Sequence, residues 1–442
     1  MMTGVHSDGV EAVITGIASK ALRLLEEIPL CDSCLGRMFG LLGRGFSNEE
    51  RGRALKTLLV MSLHARIREG DAGAREQLRR LAPNIGELAA KLYEEVFGEK
   101  LVPNRCYICE SRLQEMISLA VKRARHMLEG LEFRGFIVAA RVNDEVRFRE
   151  DEVKRRFSLE YAESIGSEVK REVGKKLQQL IGVKPDFEKP DVVVLVHVPE
   201  GRVELQVMPL LLRGWYWKLA RRVSQSAWVT RRGERRYPFS VEDGLFILAE
   251  VFEADNIVIH ASGREDADAR MLGTGRPFIV EAKRPRKRIS GLAVAEVEAN
   301  SYAAGLVEYK LLSEARRSDV ASIKGETQHR AKLYKALVVV ERPISEDELK
   351  GLEEAFHMRS IMQRTPRRVR HRRPDVVREK IVFSVKTRQL ADNVFEAIIH
   401  AEGGLYIKEL VSGDGGDTRP SFAEYFSARA YCAELDVLGV FS

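Results

Sequence analysis

The sequence predicts an α+β protein in three parts: a mostly helical N-terminal region, a small α+β domain, and a larger mixed-sheet domain with flanking helices. Three observations predict it. Apolar residues keep a helical period through the first 128 positions. From about residue 130, short β-branched runs alternate with helical stretches. Beyond residue 240 helices and apolar strands interleave without an internal repeat, the pattern of a mixed sheet covered by helices. A chain of 442 residues has room for two or three such domains.

Composition narrows the class. Hydrophobic residues make up 45% and charged residues 31%, as in a soluble globular protein. The start, Met1-Met2-Thr3-Gly4-Val5-His6, lacks a basic segment followed by an apolar one. No apolar run approaches the roughly 18 residues of a membrane span. A cytoplasmic protein without membrane attachment is the expectation.

In the first region (1–128), Val13, Ile14, Ile17, Ala21, Leu24, Leu25 and Ile28 fall on one helical face, as do Leu113, Met116, Ile117, Ala120 and Met127. Two pairs, Cys31-x-x-Cys34 and Cys106-x-x-Cys109, supply four thiolates, the donor set of a structural zinc site with no ligand position left open. The helical stretch between the pairs is read as an insertion that returns the second pair to the first. A thioredoxin-like redox role is the alternative, for which one pair would suffice. Cys432 is read as an ordinary buried thiol.

The second part (129–225) opens with a strand at Phe136–Ala140. Leu159, Ala162, Ile165, Val169, Val173 and Leu177 line one face of a long helix, and Val192–Val196 and Val203–Val207 are further strands. Trp215 and Trp217 beside Lys218 and Arg221 are read as packing residues, with an RNA-facing role open for one of them. Residues 226–240 form the expected linker. The last domain (241–442) has helices near 242–252, 294–304 and 346–356, with strands at Ala336–Val340 and Ile381–Val385.

Net charge is +7, but the cations cluster. Arg221-Arg222, Arg231-Arg232 and Arg235-Arg236 form one group, Lys283 to Arg288 a second, and Arg364 to Arg373 a third. Such density points to a polyanion, because Arg and Lys neutralise phosphates and release counterions.

The chemistry concentrates in one turn. After the apolar run Ile257-Val258-Ile259 the chain breaks into Ser262-Gly263-Arg264-Glu265-Asp266, with Arg264, Arg270 and Arg276 close in sequence. A carboxylate beside cations stays ionised, and such a group can act as nucleophile or base without a metal. The segment His260–Phe278 resembles the active-site motif of the archaeal-type tRNA pseudouridine synthases that modify uridines 54 and 55 of the T-loop. Its core also resembles the Gly-Arg-Thr-Asp signature of bacterial tRNA pseudouridine synthases. The resemblance implies a pseudouridine-synthase catalytic domain whose sheet is bisected by the active cleft, with Asp266 catalytic and Asp268 the lower-ranked competitor. It also implies that the 129–225 region is THUMP-like, the type of domain that grips the acceptor end of tRNA.

Two further stretches carry the resemblance. Lys332-Leu333-Tyr334-Lys335-Ala336 resembles the superfamily's second motif, which implies that Tyr334 stacks on the target uracil. Gly403-Gly404-Leu405-Tyr406-Ile407-Lys408 resembles the third, which implies that Lys408 pairs with the catalytic aspartate and that Tyr406 lies against the nucleotide. Strand alternation would place Tyr406 and Lys408 on one side. Arg264, inside the first motif, is an expected substrate contact. Gln363–Val369 and Ser412–Ser421 are also similar to the archaeal-type family, except that Asp417 stands where an arginine is expected. No catalytic cofactor is implied. Adding to C1′, adding to C6 and withdrawing the 2′ proton all remain open for Asp266.

Two other classes stay in view. One is a different THUMP-type tRNA-modifying enzyme, but neither a glycine-rich sulfonium-cofactor loop nor a Ser-Gly-Gly-x-Asp-Ser pyrophosphate loop occurs. The other is a non-catalytic tRNA-binding or chaperone protein on the same scaffold. For all three the basic clusters predict that affinity for unmodified tRNA falls log-linearly with salt. A flat salt response in a filter-binding titration would reduce those clusters to solvated surface.

Overall fold

The computed structural model describes residues 7–230, 232–289, 292–325, 331–371 and 373–440. Arg231 and Arg372 of the basic clusters lie outside the described residues. The chain divides into two compact units, Met1–Val207 and Met208–Ser442.

The first unit begins with six helices: α1 (Ser7–Glu27), α2 (Asp32–Arg37), α3 (Asn48–Arg68), α4 (Ala72–Ile85), α5 (Ala90–Phe97) and α6 (Leu113–Leu128). Ser47 and Glu50 start α3 with a reciprocal capping box, the Ser47 hydroxyl accepting from the Glu50 amide and the Glu50 carboxylate from the Ser47 amide. The contact of α2 with α3 depends on two glycines. A Cβ on Gly36 would lie 1.8 Å from the Asn48 carbonyl oxygen, and one on Gly52 would lie 1.9 Å from that of Asp32. The unit closes with β1 (Phe136–Val142), α7 (Asp144–Arg156), α8 (Ile165–Ile181), β2 (Val192–Val198) and β3 (Arg202–Val207). Strand β1 pairs parallel with β2, and β2 antiparallel with β3. Helix α8 is shorter than the apolar spacing from Leu159 predicts: the Ser164 hydroxyl accepts from the Ser167 amide and starts the helix there. Leu159 and Ala162 still pack on the core, from the preceding turn.

One buried charge cluster ties this unit together. The fully buried Arg37 guanidinium donates to Glu150 at 3.0 Å, to Glu168 at 2.8 Å and to the Cys34 sulfur at 3.5 Å. It therefore joins α2 to α7 and α8.

The second unit contains β4 (Leu210–Lys218), β5 (Val223–Ser224), β6 (Phe239–Ser240), α9 (Asp243–Phe246), α10 (Leu248–Val251), β7 (Asn256–Ala261), β8 (Arg270–Lys283), α11 (Leu292–Ala303), β9 (Val307–Glu314) and α12 (Arg317–Gly325). It continues with β10 (Lys332–Val340), α13 (Glu346–Ala355), β11 (Arg359–Arg364), β12 (Val377–Ala391), β13 (Val394–Ala401), α14 (Ile407–Ser412), β14 (Thr418–Arg419), α15 (Phe422–Tyr425) and β15 (Ala430–Val440). Ten strands form one sheet in the order β14-β11-β12-β13-β10-β15-β8-β4-β9, with β7 also paired to β8. Its two halves meet through a short parallel contact, Asp436 opposite Arg270 and Val437 opposite Met271. Asp436 pins that joint, accepting from Arg270 at 2.8 and 2.7 Å and from Arg221 at 2.8 Å. Gly273 permits it: the residue sits at φ +56°, and a Cβ there would lie 1.8 Å from the Leu438 carbonyl oxygen.

The domain boundary differs from the expected one. Residues 210–218, assigned above to the second part, form β4 inside the large sheet. The expected linker 226–240 also lies in the second unit, where Val223–Ser224 pairs with Phe239–Ser240 and Val229 bridges Arg235. Polar composition marked a surface loop there, and loops inside a domain share the composition of linkers. Among the described residues no helix is long and apolar enough to cross a membrane.

Removing Arg37 would leave the buried Glu168 without its cation and the buried Glu150 with Lys154 alone, at 3.1 Å, and breaking a buried pair costs about 3–5 kcal/mol. Arg37→Met is therefore expected to lower the first unfolding midpoint of the full chain in urea, and adding Glu150→Gln and Glu168→Gln should recover part of the loss. An unchanged midpoint in the single variant would contradict this role.

Candidate active site and metal-ligating cluster

The turn between β7 and β8, residues 262–269, is fastened from below. Glu265 is buried, and its carboxylate accepts from the Arg276 Nε at 2.9 Å and from the Tyr216 hydroxyl at 3.2 Å. Arg276 also donates to the Ser262 carbonyl at 2.5 Å. The fully buried Lys218 lies 3.7 Å from Glu265 and donates to the backbone oxygens of Asp266 at 2.8 Å and Val223 at 2.9 Å. Burial pushes the Glu265 carboxyl up, but the Arg276 and Lys218 charges outweigh it and hold its pKa below the ordinary value. Lys218 is thus a floor beneath the turn.

With Glu265 turned inward, Asp266 faces the other way and its side chain is 38% exposed. Arg368 Nη2 lies 3.0 Å from Asp266 Oδ2, and Lys408 Nζ lies 3.6 Å from the same oxygen. Burial raises the Asp266 pKa, while the Arg368 and Lys408 charges lower it by more, so the group ends below its ordinary value. Lys408 is closer to Asp268, at 2.7 and 2.6 Å from its two oxygens. It is therefore shared between the two aspartates rather than dedicated to Asp266.

Tyr406 and Lys408 do not alternate on a strand. Gly403-Gly404 turns the chain, Tyr406 occupies the cap of α14, and Lys408 lies within that helix. Gln363 clamps the Tyr406 backbone on both sides, accepting from its amide at 2.8 Å and donating to its carbonyl at 3.0 Å. The Arg373 Nη1 donates to the Tyr406 hydroxyl at 2.9 Å, and the Arg368 guanidinium lies 6.0 Å from the ring centroid. Tyr334, on β10, is buried with 7% exposure. Burial, with the Asp266 charge adding to it, pushes its hydroxyl up to about 12. Arg264 is exposed and makes no ion pair with a described residue. Asp266, Lys408 and Tyr334 are thus gathered at one place, Tyr406 joins through Arg368, and Arg264 stands outside.

Sequence reasoning missed Arg368, the nearest cation to Asp266. Glu409 holds it at 2.7 Å from the neighbouring helical position. The signal was the Gln363–Val369 stretch, noted above only for its similarity. The basic clusters are also less free than their composition implied. Asp417 accepts from Arg367 at 3.0 Å and Arg370 at 2.6 Å, and Asp375 accepts from Arg364 at 2.7 Å. Asp243 accepts from Arg235, and Glu253 pairs with Lys287 at 2.8 Å. Trp217 packs, donating to the Gly273 carbonyl at 2.8 Å.

In the first unit the sulfurs of Cys31, Cys34, Cys106 and Cys109 all lie within 4.8 Å of one another. Cys109 is 3.5 Å from both Cys31 and Cys34. Four sulfurs at about 2.3 Å from a tetrahedral ion would be separated by about 3.8 Å, so the cluster fits a metal.

Comparison with known proteins agrees with both halves. Residues 211–440 match the family described as "Pus10, C-terminal", and residues 120–197 match "Pus10 THUMP domain, archaeal". The chain is 46% identical over 426 residues to the tRNA pseudouridine synthase Pus10 of Aeropyrum pernix, spanning 96% of this chain and 97% of that one. It is 37% identical over 430 residues to the protein of that name from Pyrococcus furiosus, spanning 96% and 98%. The chain belongs to the Pus10 family of tRNA pseudouridine synthases. The THUMP match ends at 197, ahead of β4, in keeping with the division of the chain at Val207.

Because two cations hold the Asp266 pKa down against burial, their joint removal should raise it. Carboxyl 13C titration is expected to place Asp266 below the ordinary value of about 3.9 in the native chain and above it in Arg368→Met with Lys408→Met. Equal midpoints in the two proteins would refute the charge assignment.

Proposed function

We propose that this protein isomerises uridines 54 and 55 in the T-loop of tRNA, with Asp266 as the catalytic group acting on an everted uridine. The observation that carries the reading is the carboxylate of Asp266 held ionised between Arg368 and Lys408, with Tyr334 close by, in a chain of the Pus10 family.

The reaction breaks the bond from N1 of uracil to C1′ of the ribose and forms one from C5 to C1′. The C5 proton leaves and N1 gains one, so the change is redox-neutral and needs no nucleotide. Eversion costs a few kcal/mol of lost stacking, and an aromatic platform recovers about 1–3 kcal/mol per base. Tyr334 is that platform, and since it is buried, stacking requires local opening around the site. Tyr406 lies against the nucleotide, and Arg264 offers its exposed guanidinium to the RNA. Arg368 and Lys408 keep Asp266 charged at neutral pH, whichever of C1′, C6 or the 2′ proton it addresses.

The THUMP region takes the acceptor end of the tRNA, and the protein works in the cytoplasm without a catalytic cofactor. Zinc is the metal for Cys31, Cys34, Cys106 and Cys109, where it cross-links the N-terminal helices. Arg37, against the Cys34 sulfur, offsets part of the thiolate charge.

Asp266→Asn tests the reading against a non-catalytic tRNA chaperone. Pseudouridine at 54 and 55 is expected to vanish by chemical mapping, while tRNA affinity stays within about threefold, less than 1 kcal/mol. Pseudouridine formed at the native rate by that variant would sink the assignment.

A further inference from the structure

Among the described residues, the cations near Asp266 are matched to carboxylates, apart from the exposed Arg264 and the half-buried Lys332. Arg276 and Lys218 share Glu265. Arg368 has Asp266 and Glu409, Lys408 has Asp266 and Asp268, and Lys380 has Glu402. Lys332, at the start of β10, forms no ion pair and donates no side-chain hydrogen bond among the described residues. It is not a surface lysine, being only partly exposed.

Its position is tied to the site by two independent features. Lys332 and Tyr334 are two residues apart on one strand, so their side chains leave the same face. The Arg276 and Glu265 charges act on Lys332, and the Arg276 and Asp266 charges act on Tyr334, so both side chains lie within the electrostatic reach of the Asp266 turn. A strand residue of this kind has other ways to exist. A lysine whose only task was packing would be an odd choice where Arg276 already repels it. Burial, and then that repulsion, push its pKa down to about 8. At neutral pH most of the population is still charged, so the site holds a half-buried ammonium that forms no ion pair with a described residue.

We infer that Lys332 is a substrate-contacting residue, whose ammonium meets a backbone phosphate beside the everted uridine. The inference rests on the function proposed above. A phosphate supplies the missing negative charge, and it must approach this face when the base reaches Tyr334, since base and phosphate belong to one nucleotide. Lys332 then acts on binding and eversion, and takes no part in breaking or making the glycosidic bond.

The test pairs a protein change with an RNA change. The probe is a T-arm hairpin RNA carrying an uncharged methylphosphonate in place of one phosphate flanking the target uridine, made once for each flank, and affinity is measured for the full-length protein. For one flank, the neutral linkage is expected to weaken binding to the native chain by roughly ten- to a hundredfold, the range of one charged hydrogen bond. Lys332→Met should lose a similar factor on the all-phosphate RNA and nothing further on that modified one. Lys332→Arg should restore most of the affinity and the sensitivity to the modification. The salt slope of log affinity should also fall by about 0.7–0.9 in Lys332→Met, one phosphate contact.

Losses that multiply at both flanks, or an unchanged salt slope, would overturn the inference. So would equal loss in Lys332→Arg with a lowered melting temperature, which marks a packing role. Pseudouridine formed by the native chain on the same hairpin checks the underlying reading separately. If it forms and the losses multiply, Lys332 alone is misassigned; if none forms, both readings fall.

Discussion

The turn that carries Asp266 depends on a sealed ion pair one residue away from the group it presents. Glu265 points into the protein and meets Arg276 at 2.9 Å, with Lys218 and Tyr216 closing the remaining sides. Residues adjacent in a short turn tend to face opposite ways, so burying Glu265 sends Asp266 outward. Arg276 grips the Ser262 carbonyl and Lys218 the Asp266 carbonyl, which fixes both ends of the turn. A buried pair of this kind is a weak source of stability but an effective way to fix one geometry, because losing either partner leaves a charge without water. Of the charges that lower the Asp266 pKa, those of Arg368 and Lys408 act most strongly.

The same device recurs in the first unit, where Arg37 serves two buried glutamates and the Cys34 sulfur. There it joins α2, which carries Cys34 and is capped by Cys31, to the two helices of the α+β part. One guanidinium therefore connects the four-cysteine cluster, whose spacing fits a metal, to those two helices. The close contact of α2 with α3, allowed by Gly36 and Gly52, holds the cysteine-bearing end in place from the other side.

Much of this was legible in the residues. The helical period, the β-branched runs and the two Cys-x-x-Cys pairs located most elements, and the four sulfurs do converge across the helical insertion. The turn with Asp266 was readable because a strand must end where Gly263 breaks it. Other features were not. Lys218 stands in the sequence only as a cation beside two tryptophans, and tertiary packing reveals it as the floor of the site. Tyr406 and Lys408 read as alternating strand residues, but the preceding glycines end the extended run and a helix begins. Residues 210–218 follow the α+β part directly in sequence, and only pairing partners far away in the chain place them in the large sheet. Charge runs declare their sign but not their partners, and Asp417, Asp375, Asp243 and Glu253 neutralise much of what composition had offered to RNA.

The dependence of Asp266 on the pair beneath it is best tested by the single-turnover rate of pseudouridine formation in Glu265→Gln, Arg276→Met and the double variant, each shown to be folded. Displacing a reacting group by an ångström costs about a hundredfold, so each single change should slow the step by that order, and the double should be no slower than the worse single because both break one unit. Native rates in either single variant, or losses that multiply in the double, would contradict the account.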